Sequence, residues 1–344
     1  MFSCIIGSLS IQDEFCSLCE VTKVVSSVRS FTGKHPEKFN LSNIPSNARI
    51  KNNVHLMSPS LTSHTQQDVS EFLVYLLDHI MQCLPSHFAT SSLEPSSLTI
   101  IDQIFRIGFV SSSTCTLCSN VFEKRETKLL LNTPIYMCSY LADALTNFFK
   151  QIPVNANCET CNEIVSKCQC INLTELPVVF VINLKRYIYS LNSSTKLKHN
   201  VEYNEYLNLS PYMMHSTISN DENRSYKSSS SLYRLYAVIS HIGNTTQSGH
   251  YYSYIRCLND KWFLASDKHC KEIELNEVLH NPNATMLFYA KVPKSLCNEY
   301  LSMEQLVSKS TSTENIENIS SPISMPNVSV CYDVDKQTCK CIMF

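Results

Sequence analysis

The sequence predicts an α+β chain, with helices gathered in its first half and strands in its second. Three observations carry that prediction. A helical apolar period runs from Val69 to Leu84, a β-branched apolar run lies at 177–184, and further strand-like segments follow before a polar tail. At 344 residues, 44% hydrophobic and 17% charged, the chain is long enough for a large core and too apolar for disorder. With 28 Lys+Arg against 30 Asp+Glu the formal charge is −2, which argues against neutralising phosphates and so against nucleic acid as a partner. No apolar run reaches the roughly 18 residues of a membrane-spanning helix, and Met1 to Ile6 lacks the basic start of a signal peptide. The 17 cysteines, an odd number without a secretory leader, predict metal ligands or thiols in an intracellular, cytoplasmic setting rather than a disulfide framework. With only 5 glycines, turns must lean on Asn, Ser and Pro.

Taken in order, residues 15–30 carry a first helical pattern in which Cys16 and Cys19 fall at helical spacing as core thiols, followed by an Asn-rich connector. Residues 61–150 read as mainly helical. Their clearest element places Phe72, Leu73, Leu76, Leu77, Ile80, Met81 and Leu84 on one helix face, with Thr65 and Asp68 as a capping box. A second helix is expected at Leu141, Leu145, Phe148 and Phe149. Strands are expected at Pro177 to Leu184, Tyr233 to Ile239, Tyr251 to Cys257, Lys261 to Asp267 and Leu287 to Lys291. The Ser/Asn-rich stretch from Asn192 to Ser231 reads as a loose loop, and residues 305–340 as a disordered tail.

Three constellations carry chemistry. Cys115-x2-Cys118 and Cys158-x2-Cys161 are paired knuckles, each able to bite one ion from a tight turn. Together they make a closed tetrahedral shell for a structural zinc, with Cys168 and Cys170 as poorer alternatives. Ser248-Gly249-His250-Tyr251 puts a glycine, beside which a bound chain passes closely, directly before a histidine. A structural histidine is the ordinary reading; a general base is the functional one, with Ser266 or Asp267 fixing its tautomer. Gln66-Gln67-Asp68 at the start of the long helix reads first as a capping Asp with polar neighbours.

Taken together and in this order, these residues resemble the ubiquitin-specific protease (USP) family of cysteine deubiquitinases. Gln66-Gln67-Asp68-Val69-Ser70-Glu71-Phe72-Leu73 is similar to its QQD-x-x-EFL block, and the knuckles to its fingers. Leu176-Pro177 through Leu184-Lys185-Arg186-Tyr187, the histidine box and Trp262 to Asp267 complete the match. The resemblance implies a papain-like cysteine protease fold with thumb helices, a β-rich palm and zinc-knuckle fingers. It implies a catalytic domain over 1–292, with a helical thumb remnant over about 15–110, fingers over about 111–175 and palm over about 176–292, and a tail over 293–344. It implies ubiquitin and ubiquitinated proteins as partners, and hydrolysis of the isopeptide bond. His250 is then the general base and Ser266 or Asp267 the orienter, while Gln66, Asp68, Gly249 and Tyr251 line the channel for the ubiquitin tail.

One block is missing. Nothing here resembles the family's G-x-x-N-x-G-N-T-C-Y segment, which carries the nucleophile and the oxyanion hole. Cys4 is followed by a serine four residues on but comes too close to the helix expected from Phe15. The chain as written is expected to be inactive with an incomplete thumb. A partial start is the simplest explanation and a ubiquitin-binding pseudoenzyme the second. At the other end, Cys341-Ile342-Met343-Phe344 has the C-a-a-X form. It predicts geranylgeranylation at Cys341, with Cys339 as palmitoyl acceptor, and lipid anchoring to a membrane.

Overall fold

The structure is a computed structural model that describes residues 15–23, 48–62, 66–88, 99–190, 193–214, 231–245, 248–257, 260–267, 269–293 and 296, with the backbone of 332–333 and 338–339. The chain divides into two compact units, Met1–Pro95 with Phe344, and Ser96–Met343. The expected tail lies almost wholly outside the described residues, as does Cys341. Cys339 falls in a short ladder, Tyr332–Asp333 against Thr338–Cys339.

The first unit is helical. Its elements are α1 (residues 17–23), α2 (Ala48–Asn52), α3 (Val54–Met57) and α4 (Val69–Phe88). The long apolar period does form α4, and Leu76, Leu77 and Ile80 are its buried stripe. Asp68 caps the helix start: its Oδ1 accepts from the Ser70 N–H at 2.8 Å, the Ser70 hydroxyl at 2.5 Å and the Glu71 N–H at 3.4 Å. Thr65, the expected partner in a capping box, lies outside the described residues. Glu20 in α1 ties this unit together through Lys23 at 2.9 Å and Arg49 at 3.2 Å.

The second unit holds two sheets. Between α5 (Ile100–Phe105) and α6 (Leu141–Phe149) run β1 (Ile107–Cys115), β2 (Val121–Lys128) and β3 (Leu131–Pro134). Residues 61–150 are therefore not mainly helical. The outer half of β1 and all of β2 form a ribbon poor in apolar residues, Val-Phe-Glu-Lys-Arg-Glu-Thr-Lys in β2, so no two-residue apolar period marks it. With β4 (Ile152–Asn157) and β5 (Ile164–Glu175) these strands make a four-stranded sheet in the order β2-β1-β5-β4.

The larger sheet has eight strands. It uses β6 (Val179–Lys185), β9 (Tyr206–Asn208), β10 (Leu232–Thr245), β11 (Ser248–Arg256), β12 (Trp262–Ser266), β13 (His269–Ile273) and β14 (Ala284–Lys291). The order is β13-β12-β11-β10-β14-β6-β3, with β9 added to β10. Among the described strands of this sheet, only β3 and β6 pair in parallel. The apolar run at 177–184 becomes β6, flanked on both sides by strands and nearly all buried, as its unbroken hydrophobicity predicted. Phe180, Ile182, Leu235, Leu287 and Tyr289 pack with Leu141 and Leu145 of α6 in one core.

The stretch 192–231 is not wholly a loose loop. Ser193–Lys196 (β8) pairs with Tyr187–Ser190 (β7), β9 joins the large sheet, and Val201, Tyr203 and Leu209 are buried. Arg186 anchors this excursion. Its side chain is 1% exposed and donates to the carbonyls of Ala284 at 2.5 Å, Leu197 at 3.1 Å and His199 at 3.0 Å. Burial pushes its guanidinium down to about 10, and the carbonyl dipoles are what it gains in return. A short helix, α7 (Leu275–Leu279), precedes β14.

Candidate functional site

His250 stands near the start of β11. Side chains alternate along a strand, so His250 shares a face with Tyr252 and Tyr254. The β11–β12 register pairs Ser253 with Ala265, and one step further sets Ser266 opposite Tyr252, diagonal to His250 on the same face. The imidazole Nε2 lies 2.7 Å from Ser266 Oγ. Asp267 takes a left-handed φ of 51°, which ends the strand. Its carboxylate lies 3.9 Å from Nδ1, beyond hydrogen-bond reach, and is 77% exposed. Of the two orienters left open by the sequence, Ser266 is the one in contact. With Nε2–H donating to Ser266, Nδ1 keeps its lone pair and can accept a proton.

The hairpin beneath His250 was not foreseen. Gly243 and Gly249 both take backbone angles that glycine favours, with φ of 159° and 155°. A Cβ on Gly249 would collide with the His241 imidazole and the Ile242 carbonyl. Close approach is thus needed at this glycine by the protein itself. His241 is buried, with Tyr187 Oη 3.1 Å from its Nδ1 and the Tyr251 ring tilted against it, centroids 4.3 Å apart. Lys196 donates to the carbonyls of His241 at 2.7 Å and Gly243 at 3.0 Å, clasping the end of β10. On the His250 face, the Tyr252 hydroxyl donates to Asn281 at 3.1 Å, and Asn281 donates to Ser240 at 2.6 Å. These residues hold the strand that carries His250. The sequence signal was available in Ser240-His241-Ile242-Gly243, where a polar pair and a glycine follow the apolar run Ala237-Val238-Ile239.

At the far end of the four-stranded sheet the knuckle cysteines converge. The donor atoms of Cys115, Cys118, Cys158 and Cys161 all lie within 4.8 Å of one another. Cys118 Sγ is 3.6 Å from Cys158 Sγ, and Cys115 Sγ is 4.0 Å from Cys161 Sγ. A tetrahedral zinc with Zn–S of about 2.3 Å requires sulfurs about 3.8 Å apart, so the four thiols fit that ion. The two turns match: each has a left-handed residue after its second cysteine, Ser119 at φ 58° and Asn162 at φ 56°, where a glycine-rich chain would use Gly. Backbone N–H groups aim at the sulfurs, from Leu117 at 3.4 Å and Cys118 at 3.5 Å to Cys115. The N–H of Cys161 draws Cys158 down to about 6, and that of Cys118 lowers Cys115, while burial pushes Cys161 up to about 12. Four converging sulfurs met by backbone N–H groups are a donor set suited to a cation. The site is a structural zinc centre. Cys168 and Cys170 lie on β5 outside it, Cys170 Sγ being 2.8 Å from Ser112 Oγ.

Gln66 and Asp68 belong to the helical unit; His250, Ser266, Gly249 and Tyr251 belong to the other. Asp68 caps α4 through Oδ1, and its Oδ2 takes no part in those bonds. Cys4 lies outside the described residues.

The family model for ubiquitin carboxyl-terminal hydrolases matches residues 10–289, spanning both units. The chain belongs to that family. Ubiquitin carboxyl-terminal hydrolase 21 of Arabidopsis thaliana is 30% identical over 246 residues, covering 71% of this chain and 32% of that protein. Probable ubiquitin carboxyl-terminal hydrolase 16 of Schizosaccharomyces pombe is 28% identical over 312 residues, covering 88% of this chain and 64% of that one. The chain thus spans between about a third and two thirds of these relatives. A Ubp8-containing SAGA DUB module bound to monoubiquitin is similar at a TM-score of 0.65 and 25% identity, covering 81% of this chain and 59% of that one. The same module bound to ubiquitin aldehyde gives 0.63 at 23% identity, covering 79% and 64%. As a hydrolase-family chain of the USP type, it has the strand-rich, papain-like α+β fold. Among the described residues no helix is long and apolar enough to cross a membrane.

Proposed function

We propose that this chain is the ubiquitin-gripping, histidine-bearing part of a USP-type isopeptidase. The observation that carries the reading is the His250–Ser266 pair at 2.7 Å on adjacent strands, with β11 paired to β10 on its other side, in a chain of this family. Nδ1 is the ring atom turned to the chemistry. It would take a thiol proton and return it to the leaving lysine amine. Ser266 orients the ring but carries no charge, so it stabilises the imidazolium less than a carboxylate would. Asp267, 3.9 Å from Nδ1 and largely in water, adds a weak, screened attraction. Asp68 Oδ2 and Gln66 would hold the basic tail of ubiquitin, and Tyr251 and Gly249 its backbone.

The residues here include no block like the family's nucleophile segment, and without a thiolate and oxyanion hole a histidine achieves little. The 344-residue chain is therefore proposed to bind ubiquitin without cleaving it. Titration with labelled ubiquitin, followed by a ubiquitin-derived thiol probe, tests this. Saturable binding with no covalent adduct is expected. Folded protein that binds no ubiquitin overturns the grip, and labelling at Cys4 overturns the inactivity. An intracellular, cytoplasmic location and lipid anchoring through Cys341 and Cys339 belong to the same proposal and rest on the sequence alone; intact mass after expression in a eukaryotic cell checks the anchor.

A further inference from the structure

The β7–β8 ribbon forms a two-stranded sheet of its own, outside the ladders of the large sheet. Its register pairs Tyr187 with Lys196, so the two side chains stand next to each other on one face. Both end at the same atom. Tyr187 Oη lies 3.1 Å from His241 Nδ1 and Lys196 Nζ 3.4 Å from it, while Nζ also donates to the carbonyls of His241 and Gly243. Burial, then the nearby Arg186 and Lys198 cations, lowers the Lys196 ammonium from its usual value, and these three acceptors oppose that shift. An ammonium has only N–H groups to offer, so the Nδ1 that faces it carries the lone pair and the ring proton sits on Nε2.

The other edge of the ring touches the chain on both sides of His250. The β10–β11 register sets His241 opposite Tyr251, which places its imidazole on the face of β11 away from His250. There it packs on the Tyr251 ring, and its Cε1–Nε2 edge occupies the volume that a side chain at Gly249 would fill. A Cβ at Gly243 would also come within 2.9 Å of Cε1. The residues immediately before and after His250 thus rest on one buried imidazole.

We propose that Lys196 and Tyr187 hold His241 as its Nε2–H tautomer, and that this second imidazole positions His250 from the opposite face of β11. The inference deepens the function proposed above and rests on its reading of His250 as the general base. His241 meets no reacting group; it is a positioning residue that acts through the backbone of Gly249 and Tyr251. Lys196 and Tyr187 act one step further back, through the tautomer. Without the ammonium, the His241 proton can occupy either nitrogen, and each tautomer seeks different partners in a packed site. The ring then shifts against Gly249, and a contact as short as the 2.7 Å between His250 Nε2 and Ser266 Oγ tolerates little displacement. The β7–β8 ribbon and the hairpin that carries the base are in this way coupled through one side chain.

The test is long-range proton–nitrogen correlation spectroscopy of the full chain, isotope-labelled at histidine, which reads the tautomer of each ring without ubiquitin. His241→Gln and His250→Gln assign the two sets of signals. In wild type at neutral pH, both rings should show the Nε2–H pattern. Lys196→Met should give His241 a mixture of tautomers, move the His250 ring signals, and speed amide exchange at residues 249–251 several-fold. Lys196→Arg should restore all three, and Tyr187→Phe should give a smaller change of the same kind. A wild-type His241 that carries its proton on Nδ1 overturns the proposal. So does a Lys196→Met chain that melts like wild type with both ring patterns unchanged. If Lys196→Met does not fold, Tyr187→Phe decides: unchanged rings there overturn the proposal as well. A wild type that shows the expected ring patterns but binds no labelled ubiquitin overturns the functional reading alone.

Discussion

Removing the knuckle zinc should loosen the four-stranded sheet by an amount set by the loop that the metal closes. The inner ligands Cys118 and Cys158 are 40 residues apart. For a cross-link closing a loop of that length, the chain-entropy estimate gives about 4 kcal/mol from restricting the unfolded chain. In a unit of this size that corresponds to roughly 8–16 °C in midpoint. The perturbation is Cys158→Ser, or a strong chelator on the wild type. The assay is thermal unfolding, followed by circular dichroism and by release of zinc to a colorimetric indicator. The large sheet has its own core, so the loss should appear first as a low-temperature transition carrying the zinc release. Zinc released with no change in unfolding would refute the reasoning, because the metal would then be closing nothing that β1, β2, β4 and β5 do not already hold.

Glu205 bridges two buried guanidiniums, 2.8 Å from Arg234 and 2.6 Å from Arg256, and Asp260 also pairs with them at 3.3 and 3.1 Å, so Glu205→Ala should cost about 1–3 kcal/mol in urea unfolding. Burial raises the Glu205 carboxyl, but Arg256 and then Arg234 outweigh it and hold the group below its usual value. Its stabilisation is therefore complete above the unfolded value of 4.5 and fades as pH falls through the lower folded value; E205Q should flatten that acid limb. Gly249→Ala should cost about 1–3 kcal/mol from the disfavoured backbone and displace His241, weakening ubiquitin binding in a titration while Ser248→Ala leaves it unchanged. Arg186→Lys should destabilise by about 1–3 kcal/mol, since one ammonium cannot reach Ala284, Leu197 and His199 from a single fork; thermal melts check it.

Elements with a strong apolar period were legible in the sequence, and so was the ligand set with paired spacing. α4, β6 and the Cys115–Cys161 cluster fall where the pattern placed them, because burial on a helix face or inside a sheet writes itself into residue spacing. β2 was illegible for the converse reason: a ribbon solvated over most of its length selects for charge, and its order comes from partners such as the Phe109–Glu126 and Val110–Arg125 pairs. The segment after Arg186 looked like a loop because its anchor is one buried cation rather than a row of apolar side chains. Around His250, the sequence leaves Ser266 and Asp267 as alternatives; in the structure Ser266 Oγ lies 2.7 Å from the ring and the Asp267 carboxylate 3.9 Å away. His241 is less legible because its signal, a polar pair and a glycine after an apolar run, is local rather than periodic.

The strand order gives the His250–Ser266 couple two unequal supports. β11 leans on β10, itself clamped by β14, whereas β12 is followed by the five-residue β13, the last hydrogen-bonded strand on that side of the sheet. Fraying from that margin would free the hydroxyl while the imidazole stays seated, so the lifetime of the correctly aimed ring is governed by the sheet's weaker border. Amide protons around Ala265 should accordingly exchange well before those around Val238.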